Sequence, residues 1–506
     1  MSDLIALARL RAHLEGRPLP VGSALPFARG ARDDALVVAF VRMAGETSPW
    51  AVAWGAPGDT PRTASVPDPR RADDVRAMLS PFARGLLTHL GHPAYGAEVD
   101  PSRRRVVMPG SSHVEALHYL EYRYAKARRL PDEERDEVNA FGRLCGWLFR
   151  ESRRTHQLTV LDVTRLLREA WAVPAEDLRQ QHLGYLLGWL SGDAPAARVA
   201  LAEAAEREAV GFTLDPAVDE SLEPLVERWN DRRQQGRDDP RSAAKIREVV
   251  EAEARRRWLL AAQGWETLRD DPRPTLSTLD ALAELSRDEY RRQWRAIEAK
   301  LSQGEDAFVP HPETDHAPAA AAARFFERQH SDEVGAAAVL QGDRDAVAAA
   351  VLSGEALAGR IVEVRDEGSR RSTVPVWVID APAGSPTRLR AGSAVEVAGS
   401  PGRCGEVRSV ESVEGARRVT VEVTARKTDA NGFPHAASAA LVGERVALIP
   451  GSKVGIAKTK SFRVWAKTGP GAWLTHAEPR PPTPPTNSAP RRQTDLVSFV
   501  ESLGGR

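Results

Sequence analysis

Cysteine is nearly absent from this 506-residue chain: Cys145 and Cys404 are the only two, and they lie far apart. Two cysteines cannot build a disulfide scaffold or a cysteine-rich zinc site in a chain this long, so reduced thiols in a cytoplasmic protein are expected. Aromatic residues are scarce at 6%, with 12 Trp but only 6 Tyr. Net charge is missing as well, since 70 basic residues balance 70 acidic ones and no whole-molecule field selects a partner. No run approaches the roughly 18 apolar residues of a membrane span. The start, MSDLIALARLRAHLEGRPLP, lacks the apolar core and cleavage site of a signal peptide. A soluble protein without a membrane partner is therefore expected.

Hydrophobic residues make up 42% of the chain, enough for real cores, and the length suits about three domains. The abundance of Arg, Ala, Gly and Pro is the composition of a GC-rich bacterial genome. Residues 1–110 read as a small α+β module. A short helix over Leu4–Leu14 precedes strands over Ala35–Met43, Trp50–Trp54 and Arg105–Met108, and a helical run between the last two is interrupted by Pro81. Residues 111–303 read as an all-helical middle region. Its expected helices are SSHVEALHYLEYRYAKARRL from Ser111, then Glu134–Arg153, Val160–Trp171, Ala175–Trp189, Ala194–Glu208, Pro216–Gln235, Ser242–Gln263 and Thr275–Ser302. Tryptophans at 147, 171, 189, 229, 258, 265 and 294 recur through it as core anchors.

Residues 304–350 form a linker with one short helix. Residues 351–478 are expected to form a small β-barrel, from short alternating strands at Ala358–Arg365, Val374–Ile379, Ala394–Ala398, Gly405–Val410, Arg418–Ala425, Arg445–Ile449 and Phe462–Lys467. Residues 479–506 are a proline-rich spacer ending in a short amphipathic helix, TDLVSFVESLGGR. The fold class is thus multidomain α+β.

Catalytic motifs are missing. PGSKVGIAKTKS carries Gly451, Gly455, Lys458 and Thr459 at the wrong spacing for a phosphate loop, and no nucleophile elbow, zinc helix or paired CxxC occurs. Glu115-x-x-His118 has the spacing of a bundle di-iron ligand pair, but its two other copies, Glu313/His316 and Glu327/His330, lie in or beside the linker. Arg150-Glu-Ser-Arg-Arg-Thr-His156 is similar to the ribonuclease motif of helical HEPN domains, which makes a ribonuclease the alternative. The chain is otherwise expected to be non-enzymatic, with no cofactor and no metal.

Charge is more informative locally than globally. Arg445, Lys453, Lys458, Lys460, Arg463, Lys467, Arg480, Arg491 and Arg492 face a single acid, Glu478, within that interval, and Phe462, Trp465 and Trp473 are interleaved with them. Cations for phosphates beside aromatics for stacking form the footprint of a nucleic-acid surface. The expected contacts are Arg445, Lys453, Lys458, Lys460, Arg463 and Lys467, with Trp465 stacking or packing.

The segments ALAGRIVEVRDEG, VPVWVID, LRAGSAVEVAGSP with its GEV continuation, and VTVEVTARK resemble the accessory barrel that precedes the motor in superfamily-1B helicases. TDLVSFVESL resembles the helix that comes just before the Walker strand, and the chain stops where the motor would begin. The resemblance implies an accessory subunit that binds DNA or RNA and acts with a separate helicase or ATPase. Bacterial assemblies of that kind are often anti-phage defence modules. A protein-interaction scaffold, with the terminal helix docking on a partner, is the remaining alternative.

Overall fold

The computed structural model describes residues 2–21, 34–91, 103–127, 130–153, 157–271, 339–369, 372–400, 402–423 and 440–451, with the isolated positions 287, 291, 336 and 337. Two separate hydrophobic clusters organise them: one runs from Ala35 to Leu268, the other from Leu357 to Leu448.

The first cluster surrounds a five-stranded sheet. Strands β2 (Ala35–Arg42), β3 (Pro49–Gly55) and β4 (Arg62–Ser65) form an antiparallel meander, after α1 (Ser2–Glu15) and a two-residue β1 (Leu19–Pro20). Helix α2 (Ala72–His89) then carries the chain to β5 (Arg105–Met108), which pairs parallel to β2. Helices α3 (Ser111–Tyr124) and α4 (Asp132–Ser152) lead on to β6 (Val160–Asp162), parallel to β5. The order is therefore β4-β3-β2-β5-β6. Every residue of β2 except Arg42 is buried, as expected of a central strand covered on both faces.

Those covers come from α2 and a much later helix. Trp54 packs edge-on to Phe82 of α2, with ring centroids 5.8 Å apart, whereas Gly55 lies against Trp258. Successive strand residues point to opposite faces, so α2 and the helix bearing Trp258 sandwich the sheet. That helix is α9 (Pro240–Arg269), and its Trp258 Nε1–H donates to the Val37 carbonyl at 3.0 Å. Between them come α5 (Val163–Ala170), β7 (Trp171–Ala172), which pairs with β1, a 3-10 turn at Arg179–Gln181, α6 (Leu183–Ser191), α7 (Pro195–Glu206) and α8 (Pro216–Gln234).

The middle region is consequently not all-helical. Val160–Asp162 belongs to the sheet, and the segment expected as one helix splits there: Asp162 is the last strand residue and also the cap of α5, its carboxylate accepting from Arg165 N–H. The packing shows no break near residue 110, because the sheet of the first hundred residues and the helices of the next hundred and fifty share one core. Pro81 does not interrupt α2 but sits inside it. The expected helix over Thr275–Ser302 lies outside the described residues apart from positions 287 and 291.

The second cluster fills a closed six-stranded barrel, preceded by α10 (Arg344–Ser353). Its strands are β8 (Leu357–Ser369), β9 (Ser372–Pro382), β10 (Ala394–Val397), β11 (Cys404–Val413), β12 (Ala416–Val423) and β13 (Arg445–Pro450), in the order β10-β11-β12-β9-β8-β13, with β13 returning to β10. All neighbours are antiparallel. Alternate residues such as Ile361, Trp377, Ile379, Val419 and Val421 point inward, while charged residues face out. Gly415 turns the two-residue β11–β12 hairpin with φ +76°, a conformation that suits glycine. The barrel closes without the seventh strand expected at Phe462–Lys467, a segment outside the described residues along with the proline-rich tail.

Candidate nucleic-acid interface

Of the seven residues the sequence nominated, only Arg445 falls among the described residues. Lys453, Lys458, Lys460, Arg463, Trp465 and Lys467 lie beyond residue 451, as does the phosphate-loop-like string after Gly451. Arg445 opens β13 and is exposed. Its register partner on β8 is Arg360, also exposed, while their neighbours Ile361 and Val446 point into the barrel core. Two guanidinium groups are thus directly opposite one another on an outer face, an arrangement that destabilises a sheet unless something negative lies between them.

The surrounding acids are committed elsewhere. Asp380, next across from Arg360, takes two 2.8 Å hydrogen bonds from Arg418, and that guanidinium holds its carboxyl below the usual aspartate range. Glu444, the residue before Arg445, accepts from Arg403 at 2.6 and 3.1 Å, which likewise lowers its pKa. Arg408 bonds Glu367 and, at 2.9 Å, Glu422. Neither Arg360 nor Arg445 has a carboxylate partner among the described residues. The arginines around the LRAGSAVEVAGSPGRCGEV turn divide in the same way. Arg388 pairs with Glu355, and Arg403 and Arg408 are paired as above, whereas Arg390 has no acid partner among the described residues.

Sequence reasoning missed Arg360. Glu363, Asp366 and Glu367 follow it closely in sequence, and only strand register sets it beside Arg445.

The alternative ribonuclease string resolves only in part. Arg150 lies near the end of α4 and donates through Nη1 to Glu121 Oε1 at 2.6 Å, across the seam between α3 and α4. His156 is outside the described residues. Glu115 pairs with Arg153 at 2.9 Å, and His118 stacks on Phe149 with ring centroids 4.8 Å apart, so both members of that ExxH string are used in joining α3 to α4. Among the described residues no group of three or more His, Cys, Asp or Glu side chains could hold a metal ion. No described helix is long and apolar enough to cross a membrane.

In an open sheet with parallel strands, the usual ligand crevice lies beyond the strand C-termini where the order reverses, here between β2 and β5. In this chain residues 210–214 lie there. Arg42 at the end of β2 bonds this segment through its N–H to Phe212 O and its carbonyl to Leu214 N–H. Ser112 Oγ accepts from Phe212 N–H, and His113 donates through Nε2 to Val210 O at 3.1 Å. His113 Nδ1 in turn accepts from Phe40 N–H, which fixes the tautomer. Burial, with the nearby Arg257 charge, pushes His113 down to about 3, so the ring is neutral. Arg257, fully buried, donates to Gly211 O at 2.7 Å and to Glu253 at 2.6 Å. These buried polar groups fasten a strap over the sheet and leave no room for a substrate.

No family model, no curated protein and no solved structure matches the chain.

Proposed function

We propose that the chain is a nucleic-acid-binding accessory protein, with the outer face of the C-terminal barrel and the basic stretch after it as the contact surface. The observation that carries this reading is the opposed pair Arg360 and Arg445, whose nearby acids are all held by other arginines. A phosphate between the two guanidiniums would relieve their repulsion and accept hydrogen bonds from both. Lys453, Lys458, Lys460, Arg463 and Lys467 follow within a short stretch of chain and extend the positive charge. Trp465 supplies a stacking surface. No site for ATP chemistry is assigned to this chain, and the resemblance of its barrel to a helicase accessory barrel supports a separate motor subunit as partner.

The test is binding of the full chain to labelled single- and double-stranded DNA and RNA across a salt series. The reading expects affinity to fall steeply with salt, with a log–log slope of several units. Binding that does not change with salt, or no binding to any of the four, would exclude it.

A further inference from the structure

Two clefts flank α2, and Ser80 and Arg84 line both. The first, about 420 Å3, lies between α2 and α4 on a floor that includes Leu79, Ala83, Val138 and Phe141. Tyr124, at the end of α3, lines its side. The residue is only 7% exposed, and its hydroxyl has no hydrogen-bond partner among the described residues. Burial, with Tyr119 nearby, holds that hydroxyl well above the usual phenol range, so it remains a neutral donor. Ser80 Oγ also has no described partner. Pro81, lacking an N–H, gives no helical donor to the carbonyl of Ala77, which lines the same cleft. A wall of two hydroxyls and one carbonyl therefore stands over an apolar floor with an aromatic ring.

A purely apolar ligand would leave those three polar groups unsatisfied, and a fully polar one would waste the floor. A flat heteroaromatic ring with donors and acceptors along its edge meets both demands, as a nucleobase does.

The second cleft, about 540 Å3, is lined by Arg62, Ser80, Arg84, Thr88 and His89 and by no carboxylate. Arg62 is exposed and has no ion-pair partner among the described residues. His89 donates through Nε2 to the Arg105 carbonyl at 2.9 Å; burial and the Arg104 charge push it to about 4, so it does not compete as a cation. Ser80, Arg84 and Thr88 are spaced by four on one face of α2. Two guanidiniums and two hydroxyls without an acid suit a phosphate.

We propose that this double cleft binds a nucleoside 5′-monophosphate unit, its base between Phe141 and Tyr124 and its phosphate between Arg62 and Arg84. The unit is either a free nucleotide or the 5′ end of a strand, since both present the same chemistry. The site lies on the N-terminal sheet unit and does not depend on the barrel interface.

The test is calorimetric titration of the full chain with AMP, GMP, CMP and UMP, then with adenosine and inorganic phosphate alone. At least one nucleotide is expected to bind, with the nucleoside and the phosphate each weaker by roughly tenfold or more. Tyr124→Phe keeps the ring and is expected to weaken the nucleotide by roughly fivefold to tenfold while leaving phosphate unchanged. Arg62→Gln, at an exposed position, is expected to weaken nucleotide and phosphate together and spare the nucleoside. Melting curves of both variants check that the fold is kept. Competition by a 5′-phosphorylated tetranucleotide, but not by its 5′-hydroxyl form, upholds the site with a strand end as its source; competition by free nucleotides alone upholds it with the free source. No binding of any nucleotide at millimolar concentration, or equal binding by wild type and both variants, overturns the proposal.

Discussion

Arginine is used in opposite ways in the two cored regions. In the sheet unit Arg257 is completely buried and all its contacts are internal, to Glu253 and to the carbonyls of Gly211 and Thr213. In the barrel the arginines stand on the outside. Most of them are paired across strands, and Arg360 and Arg445 oppose each other with no described acid. The difference follows from the cores. A three-layer unit has an interior deep enough to hide a fully bonded guanidinium. A six-stranded barrel has room inside for little more than its own alternate side chains, so every charge must face out.

The largest expected effect is therefore in the sheet unit. Arg257→Leu leaves Glu253 without its partner and frees the strap at residues 211–213, which should cost about 3–5 kcal/mol in denaturant unfolding. Burial raises the Glu253 carboxyl, but hydrogen bonds from Arg256 and Arg257 hold it lower overall, so Arg257→Leu should also raise its pKa. A change below about 1 kcal/mol would show that the strap is not anchored there.

Acid separates the regions next. His113 and His89 have an ordinary value of 6.5 and are pushed to about 3 and about 4 by burial. As pH falls through 6.5 the unfolded chain takes up these protons and the folded one does not. Their contribution is complete above that value and declines below it by about 1.4 kcal/mol per pH unit for each ring. Asp162 and Glu169, raised by burial, act in the opposite sense from the carboxylate range upward. The histidines outweigh them because each refuses its proton across two pH units or more. In the barrel, Asp380, Glu367 and Glu444 are lowered by their arginines, so their contribution is lost only as pH falls below the ordinary carboxylate values and through the depressed ones. Hydrogen exchange at pH 7 and pH 5 should show the sheet unit loosening and the barrel unchanged; the reverse would contradict the assignment.

Smaller effects follow from close packing and from surface pairs. A Cβ added at Gly142 would lie 2.3 Å from the Ala125 backbone nitrogen, so Gly142→Ala should push α4 from α3 at a cost of about 1–3 kcal/mol in thermal unfolding. Arg418→Ala removes a partly exposed pair and should change stability by less than about 1 kcal/mol in the same measurement.

Much of this architecture was legible in the sequence. Strong apolar alternation marks β2, β3, β5 and the barrel strands, and Arg105–Met108 has the same bounds in sequence and structure. Strand β4 was not legible, because RTAS is short, polar and at the sheet edge, where pairing rather than hydrophobicity defines it. Strand β6 was hidden because Val160 and Leu161 continue the apolar run of α5, and only the capping Asp162 marks the break. The closing partner of the first core, α9, lies far along the chain, and no local pattern shows that Trp258 returns to Val37. At the interface, local charge flagged Arg445, but Arg360 depended on register, which composition does not carry.

The most direct test of the central claim compares salt slopes of nucleic-acid binding for the wild-type chain, the Arg360→Ala/Arg445→Ala double variant, and Arg388→Ala, whose arginine is already paired with Glu355. The double variant should lose about two units of slope and bind every sequence more weakly by a similar factor, while Arg388→Ala stays close to wild type. Equal slopes for all three proteins would contradict the account and return the opposed arginines to a solvated face.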